Sequence, residues 1–173
     1  MNHHAFSCPV PPESAINARL AGAHFHDCHA IVVPDTGRSA LSHFLTALAQ
    51  TPSWVNTLMS LRNKMVELIG LKNLGGLGEF DPTKPDSAYR PGDRVGIFTL
   101  ISNLPDEALL GDSDKHLNVV LSVFKGRPDV DGTVRVAVTT VVHVHNLLGR
   151  IYMLPVTPLH KLIAPTVLSR ALI

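Results

Sequence analysis

Hydrophobic and polar positions alternate along much of the second half of the chain. In residues 133–146 the even positions are mostly valine, while the odd positions are of mixed polarity. A period of two predicts a strand with one face in the core and a wetter opposite face. Residues 116–124 repeat the pattern with their apolar set at odd positions. The intervening segment GRPDVDG at 126–132 predicts that the two strands form an antiparallel pair.

Other segments complete the list of predicted elements. Apolar residues at helical spacing predict a short helix at 38–50 and a longer one from Thr51 to Gly70, with Thr51 as its cap. Trp54 and Leu61 belong to the apolar stripe of that longer helix. The C-terminal prolines predict a short helical turn and then a kinked helix from about residue 157. Further strands are predicted at 24–34, 94–102 and 106–111.

The order of these elements predicts the fold class. We expect an α+β fold in which a curved antiparallel β-sheet is wrapped around a C-terminal helix, with two short helices after the first strand. Residues 1–20 contain several prolines in a polar setting and predict an irregular N-terminal arm. Residues 21–173 are then expected to form a single domain.

The composition excludes several classes of protein. Hydrophobic residues make up 45% of the chain and charged residues 17%, which is typical of a packed globular domain. The net charge of +1 and the low aromatic content predict no nucleic-acid surface. The N-terminal residues lack a signal-peptide pattern, and no run of 18 apolar residues is present. We therefore expect a cytoplasmic protein with no membrane span.

The cysteines do not indicate a disulfide framework or a zinc site. Only Cys8 and Cys28 are present, and Cys28 is expected to be a small buried residue. Cys28 shares a predicted strand face with His24 and His26, but no second cluster with a matching spacing completes a metal site. The glycine-rich segment GGLG lacks the lysine of a phosphate-binding loop. We therefore expect no cofactor.

The chain contains four longer motifs: TPSWVNTLMSLRNKMVELIGLK at 51–72, GDRVGIFTL at 92–100, EALLGDSDKHLNVVLSV at 107–123 and TVVHVHNLLGRIYMLPVTPLHKLIAP at 140–165. Together they resemble a bacterial family catalogued as domain of unknown function 2867. The resemblance covers roughly residues 23–170 and implies similarity to the helix-grip superfamily of lipid-carrier and cyclase-like domains. The family has no agreed activity, so the resemblance implies no catalytic residues. Some relatives follow a nucleotide-binding domain, but this chain has no GxGxxG, and a nicotinamide role is not implied.

A histidine cluster is the first candidate site. In an antiparallel pair, the residue numbers of any two opposite residues add to the same sum. The apolar faces of these two strands match only if this sum is odd. The sums 259 and 261 place His116 opposite His143 or His145, respectively. With Asp114 nearby, these side chains are candidates for a first-row metal site. We favour the alternative, in which they are polar side chains at the sheet face and bind no metal.

Five polar residues are candidates for contacts with a ligand. The guanidinium of Arg62, beside Asn63, lies at the edge of a helical apolar stripe and could hold an anionic group, or could form an internal ion pair. Thr140 is a polar residue that points inward from a valine-rich strand. Tyr152 could direct its hydroxyl under the final helix. Asn146 could contact a ligand or cap that helix.

The carboxylates give the candidate for acid–base chemistry. Glu107 is the candidate catalytic residue, whereas Asp112 and Asp114 fit a tight turn in the segment GDSD. His160 is expected to be a partly buried structural histidine.

Three functions remain open. The first hypothesis is a protein that binds a small apolar or amphipathic ligand. The second is an enzyme of cyclase, isomerase or hydrolase type that uses Glu107 or a histidine. The third is a structural or interaction protein that forms a homodimer through an outward sheet row of Val120, Phe124, Val141 and His143.

Overall fold

An antiparallel sheet is the main element of the structure. The computed structural model describes residues 4–68, 76 and 80–172, with side chains described for 4–64, 76 and 80–171. Within these residues seven strands form one sheet in the order β1-β2-β7-β6-β5-β4-β3. The strands are β1 (Phe6–Ser7), β2 (Phe25–Pro34), β3 (Arg94–Val95), β4 (Phe98–Asn103), β5 (Glu107–Ser113), β6 (Leu117–Lys125) and β7 (Thr133–Val144).

In the described part of the chain three α-helices accompany the sheet, and the predicted fold class is confirmed. The helices are α1 (Ala40–Ala49), α2 (Ser53–Leu68) and α3 (Leu147–Leu168). Short 3-10 helices lie at Ala15–Arg19, Asp86–Ala88 and Ser169–Leu172. The sheet is open, antiparallel and curved, and α3 lies against β2 and β7.

The predicted pairing of β6 with β7 is also confirmed. Asn118 lies opposite His143 and Leu117 opposite Val144, which is the register with the sum 261. Continuing the ladder, the N–H of His145 donates to the carbonyl of His116 at 2.8 Å. The period-two pattern predicts an odd sum, and the observed register is one of the two odd sums considered for the histidine cluster.

The main core lies on one side of the sheet, here called the inner face. It contains Ile31 of β2, Leu121 of β6 and Val136 of β7, and it packs against Leu41 and Phe44 of α1. These side chains alternate along their strands with residues that point to the opposite side, here called the outer face.

The outer face is covered by the N-terminal arm, so the expectation that it is wetter is wrong. Ile16 of the arm is fully buried against Val120 and Val141. Cys8 and Val10 pack against the outer-face residues nearer β1. The arm thus buries Val120 and Val141, two of the four residues in the predicted dimer row, and homodimer formation stays a prediction. Whether residues 21–173 fold without the arm stays a prediction.

The helix α3 is continuous, in contrast to the predicted turn and kinked helix. Pro155, Pro158 and Pro165 all lie inside it. Pro155 and Pro158 are exposed, as are Ile151 and Leu154, whose carbonyls those prolines leave without their usual intrahelical donor. Pro165 likewise leaves the carbonyl of exposed Lys161 without its usual donor. Because all three residues are exposed, solvent can satisfy their carbonyls. The loss of three internal hydrogen bonds therefore does not end the helix.

The helix α2 presents a different face to the core than the sequence pattern indicates. Val55 is fully buried and Met59 packs one turn later, whereas Trp54 and Leu61 are exposed. The Thr51 hydroxyl is buried without a hydrogen-bond partner, so its predicted capping role is wrong. The predicted stop at Gly70 lies outside the described residues.

Among the described residues, one helical stretch is long and apolar enough to cross a membrane. It spans Leu147–Ala171, and only 11% of its most apolar window is buried. Core helices of soluble proteins can have the same length and composition. The absence of a membrane span therefore stays a prediction.

A buried histidine in α1 makes the stability of the fold depend on pH. His43 is 3% exposed and neither ring nitrogen has a hydrogen-bond partner. Burial, together with nearby Arg38 and Lys125, lowers the pKa of His43 below its usual 6.5, and Asp35 opposes this only in part. The unfolded chain therefore binds a proton more readily than the folded protein, and stability decreases as the pH falls below 6.5.

We expect the free energy of unfolding to decrease by on the order of 1 kcal/mol from His43 alone between pH 7.5 and 5.5. In urea unfolding at the two pH values, His43→Leu should reduce this difference. His145→Leu is the control, because His145 is exposed. Equal pH dependence in the two variants would contradict the assignment.

Candidate functional site

A polar cluster interrupts the apolar inner face beneath α3. The pairing of β2 with β7 places Asp27 directly opposite Thr140. Nε2 of His160, from α3, lies 3.1 Å from Asp27 Oδ1. Nδ1 of His29 lies 3.8 Å from Asp27 Oδ2, too far for a hydrogen bond. Two strands and one helix thus bring together a carboxyl group, two imidazoles and a hydroxyl.

Close contact at the start of α3 positions this cluster. A Cβ atom at Gly149 would lie 2.5 Å from the His116 carbonyl oxygen and 2.8 Å from a Val144 methyl carbon. Only glycine therefore allows α3 to begin directly against the end of β7. The helix then runs back along the sheet to β2, where the rings of Phe25 and His160 pack edge to face with their centres 5.6 Å apart.

Two polar atoms of the cluster are buried without a hydrogen-bond partner. The side chains of Asp27 and His29 are each 14% exposed, and Asp27 Oδ2 and His29 Nδ1 make no hydrogen bond. A buried polar group left unpaired costs about 1–3 kcal/mol. Such atoms are rare in native proteins, and a bound ligand is one of their physical explanations.

A second polar contact joins α2 to α3. Nε of Arg62 donates to the Tyr152 hydroxyl at 2.9 Å, and the guanidinium carbon lies 5.4 Å from the centre of the ring. Nη1 of Arg62 also donates to Asn63 Oδ1 at 2.9 Å. Tyr152 and His160 are two helical turns apart on one side of α3, about 12 Å along its axis, with Val156 between them.

The predicted ligand-binding residues are therefore divided among three places. Arg62, Asn63 and Tyr152 lie together, and Thr140 belongs to the polar cluster. Asn146 lies at the start of α3, where its Oδ1 accepts from the Gly149 N–H at 3.1 Å. Its interpretation as a cap is confirmed. Whether any of the five contacts a ligand stays a prediction.

The candidate metal ligands have other partners. Asp114 Oδ1 accepts from the backbone N–H groups of His116 and Leu117, which confirms the turn interpretation of this residue. Nδ2 of Asn146 lies 2.9 Å from His116 Nδ1, and Nε2 of His143 lies 3.1 Å from the Ala21 carbonyl. His145 is exposed. Within the described part of the chain, no three His, Cys, Asp or Glu side chains group as metal ligands.

Glu107 lies on the outer face, away from the polar cluster. Its Oε1 accepts from the hydroxyls of Ser14 at 2.5 Å and Ser122 at 2.6 Å, and its Oε2 accepts from the Ala15 N–H at 2.9 Å. These bonds satisfy the buried carboxyl group and fasten the arm to the sheet. The geometry gives Glu107 an anchoring role, and its catalytic role stays an untested prediction. Asp112 lies on β5, so its assignment to the turn is wrong.

A cleft of about 490 Å³ lies on the outer side of the sheet, between the arm and the end of the β6–β7 hairpin. Glu13, Arg127, Asp129 and Arg135 line it together with apolar residues. Its charges balance, and none of its lining residues has an unpaired buried side-chain atom. The unpaired atoms under α3 therefore favour the inner face as the ligand site.

The sequence interpretation missed Asp27 and His29. It considered the segment HFHDCH only through His24, His26 and Cys28, which point to the outer side of β2. The alternate set, Asp27 and His29, points to the inner face, as the pairing of Asp27 with Thr140 shows. The available signal was the spacing of Asp27 and His29, which lie two residues apart and so share a strand face with the apolar residues that follow them.

The fold and the site define an α+β protein with a polar cluster enclosed between a sheet and its C-terminal helix. A family model described as protein of unknown function (DUF2867) matches residues 19–167. The chain belongs to this family, as the four motifs indicated. No curated protein and no solved structure matches the chain. The similarity to helix-grip proteins therefore stays a prediction.

The contact between Arg62 and Tyr152 should stabilise the association of α2 with α3. We expect Tyr152→Phe to lower the free energy of unfolding by about 0.5–1.5 kcal/mol, because the variant removes only the hydroxyl. In Arg62→Met the same substitution should have little effect. A double-mutant cycle by urea unfolding measures the difference. Additive effects would show that the two groups do not interact.

Proposed function

We propose that this protein binds a small amphipathic molecule between α3 and the inner face of the sheet. The observation that carries the proposal is that two neighbouring buried atoms, Asp27 Oδ2 and His29 Nδ1, make no hydrogen bond. They lie on a face whose core side chains are mostly aliphatic. A site of this kind binds the apolar part of a ligand by burial and orients it with a few polar groups.

The spacing of the two atoms favours a hydroxyl group on the ligand. They are 3.8 Å apart, so one oxygen can lie about 2.8 Å from both. A hydroxyl both donates and accepts, and can donate to Asp27 Oδ2 while accepting from a protonated Nδ1 of His29. A purely apolar ligand would leave both atoms unpaired. This favours an alcohol or a hydroxy acid over a hydrocarbon.

The contact between Arg62 and Tyr152 would close the other end of the site. The helix surface between Tyr152 and His160 carries Val156, so the central part of the ligand would meet an apolar wall. A ligand with a hydroxyl at one end and an apolar body of about 12 Å fits this arrangement. An anionic group at its far end would replace Tyr152 as a partner of the Arg62 guanidinium.

An enzyme is the second candidate function, and a specific contact favours it. A carboxyl group that holds an imidazole, as Asp27 holds His160, is an arrangement used by general bases. A ligand hydroxyl at Asp27 would lie close to this pair. Recovery of an added ligand from heavy water separates the two candidates, since an isomerase or cyclase that removes a carbon-bound proton would introduce deuterium, a hydrolase would cleave the ligand, and a carrier would return it unchanged.

We expect native mass spectrometry to show that 1-dodecanol binds the folded protein and is lost on denaturation. Asp27→Asn should lower the affinity about tenfold, because it removes the charged acceptor. Thr140→Val should also weaken binding. Thr139→Val is the matched control, since Thr139 is buried on the opposite face of the same strand.

Circular dichroism establishes that each variant is folded. Equal losses in Thr139→Val and Thr140→Val would place the site elsewhere. Failure of the folded wild-type protein to bind both 1-dodecanol and 12-hydroxydodecanoic acid would refute the proposal.

A further inference from the structure

The two cysteines meet where the N-terminal arm joins the sheet. Cys8 and Cys28 are free thiols whose sulfur atoms lie 3.4 Å apart, although 20 positions separate them in sequence. The ladder between β1 and β2 pairs Ser7 with His29, so Cys8 continues it opposite Cys28. The N–H of Cys8 also donates to the Cys28 carbonyl at 3.1 Å.

This backbone arrangement suits a disulfide. Hydrogen-bonded pairs of an antiparallel ladder have Cα atoms about 5.5 Å apart, and disulfides usually join Cα atoms about 4.4–6.8 Å apart. The sulfur atoms already face each other, so a bond needs side-chain rotation but no change in strand pairing.

The two thiols differ in their access to reagents. Cys8 is half-buried and lines the outer cleft, so a small molecule can reach its sulfur. Cys28 is buried, and its sulfur accepts a hydrogen bond from the Thr139 hydroxyl at 3.2 Å. Burial raises the pKa of Cys28 to about 12, which keeps it protonated at neutral pH. Cys8 is therefore the thiol that reacts first.

We propose that Cys8 and Cys28 form a redox-active dithiol that low-molecular-weight disulfides oxidise to an intramolecular disulfide. The Cys8 thiolate attacks one sulfur of the small disulfide and releases one thiolate, leaving a mixed disulfide on Cys8. Cys28 then loses its proton to solvent and attacks the Cys8 sulfur, releasing the second thiolate. Two protein thiols are oxidised, and one small disulfide is reduced to two thiols.

The bond would link the arm covalently to β2. The same arm buries Ile16 on the outer face and carries Ser14, whose hydroxyl donates to Glu107. In the reduced protein these and other non-covalent contacts hold the arm. In the oxidised protein the arm remains attached even when its other contacts open. This consequence does not depend on which ligand the inner face binds.

Glutathione disulfide is the test reagent, applied to the folded protein and followed by trapping of free thiols. We expect the intact mass to fall by two hydrogens. Trypsin should then yield a disulfide-linked pair of peptides, one ending at Arg19 and the other running from Leu20 to Arg38. The rate should rise about tenfold per pH unit between pH 7 and 9, because the second step requires the Cys28 thiolate.

Single variants test the order of the steps. Cys28→Ser should keep one glutathione on Cys8, because no second thiol can displace it. Folded Cys8→Ser should remain unmodified, because Cys28 is buried. Glutathione on Cys28 of folded Cys8→Ser would overturn the order. A wild-type protein that forms the linked peptides only after denaturation would overturn the proposal.

A second and independent observation concerns the outward side of α3. Leu147, Ile151, Leu154 and Leu162 are between 53% and 74% exposed. Their spacing places them in one stripe along the helix, opposite the side that packs on the sheet. A helix that is apolar on both sides normally has a covering on both.

The charges beside this stripe indicate what covers it. Arg150 and Lys161 are exposed along one edge of the stripe, and residues 147–173 contain no Asp or Glu. An apolar stripe with cations at its edge is typical of helices that lie in the interface of an anionic membrane. We infer that α3 docks the protein on an anionic lipid surface.

Flotation with lipid vesicles tests this surface. Wild-type protein should float with vesicles containing phosphatidylserine, bind at least tenfold more weakly to phosphatidylcholine alone, and be released by high salt. The double variant Ile151→Glu, Leu154→Glu should lose binding. Val130→Glu, at a fully exposed apolar residue in the β6–β7 loop, is the control.

Other occupants of the stripe give different results. Binding that persists in high salt and alkaline carbonate would indicate a membrane span and overturn interfacial docking. Absence of vesicle binding, with a dimer that the double variant dissociates in sedimentation experiments, would identify a second copy as the partner. Equal binding to both kinds of vesicle would contradict the role of Arg150 and Lys161.

Discussion

The register of β2 on β7 is the constraint on which both proposed sites depend. Ten consecutive pairs, from Phe25 with Val142 to Pro34 with Thr133, fix which residues of β2 point to each face. Asp27 meets Thr140 on the inner face, and Cys28 meets Thr139 on the outer face. Because side chains alternate along a strand, a slip of one residue would exchange the two chemistries between the faces. The pairing of β2 with β7 thus places the polar cluster on the inner face of the sheet and the two thiols on the outer face.

Burial of the sheet on both faces follows from the same arrangement. α1 and α3 cover the inner face, while the arm covers the outer one through Ile16. The arm is too short to form a layer of regular structure, so specific bonds hold it in place. Glu107 illustrates the compensation, since a buried carboxyl group is costly unless several donors satisfy it. The carboxyl group of Glu107, which the sequence suggested as catalytic, therefore holds the arm on the sheet.

Local sequence patterns predicted the helices and strands, but they could not predict contacts between segments that are distant in sequence. Valine periodicity was enough to predict the pairing of β6 with β7 and the face of the sheet to which the Thr140 side chain points. It could not show that an arm covers the outer face, although Ala137 and Val141 at odd positions were a sign of burial. The prolines of α3 suggested a break because a sequence does not show which carbonyls face water. The contact of Asp27 with His160 joins residues 133 positions apart, and only the assembled fold brings them together.

The helix α3 contributes to both the proposed ligand site and the inferred membrane contact. Its inward side supplies His160 and Tyr152, and its outward side carries the exposed stripe. If α3 moved away from the sheet, Asp27 would lose its hydrogen bond to His160, which is worth about 0.5–1.5 kcal/mol net. A ligand hydroxyl that bonds Asp27 would offset part of this cost. The stripe is exposed while α3 packs on the sheet, so a lipid interface can bury it without any movement of the helix. Ligand binding and membrane docking therefore use opposite sides of α3, and neither requires the other.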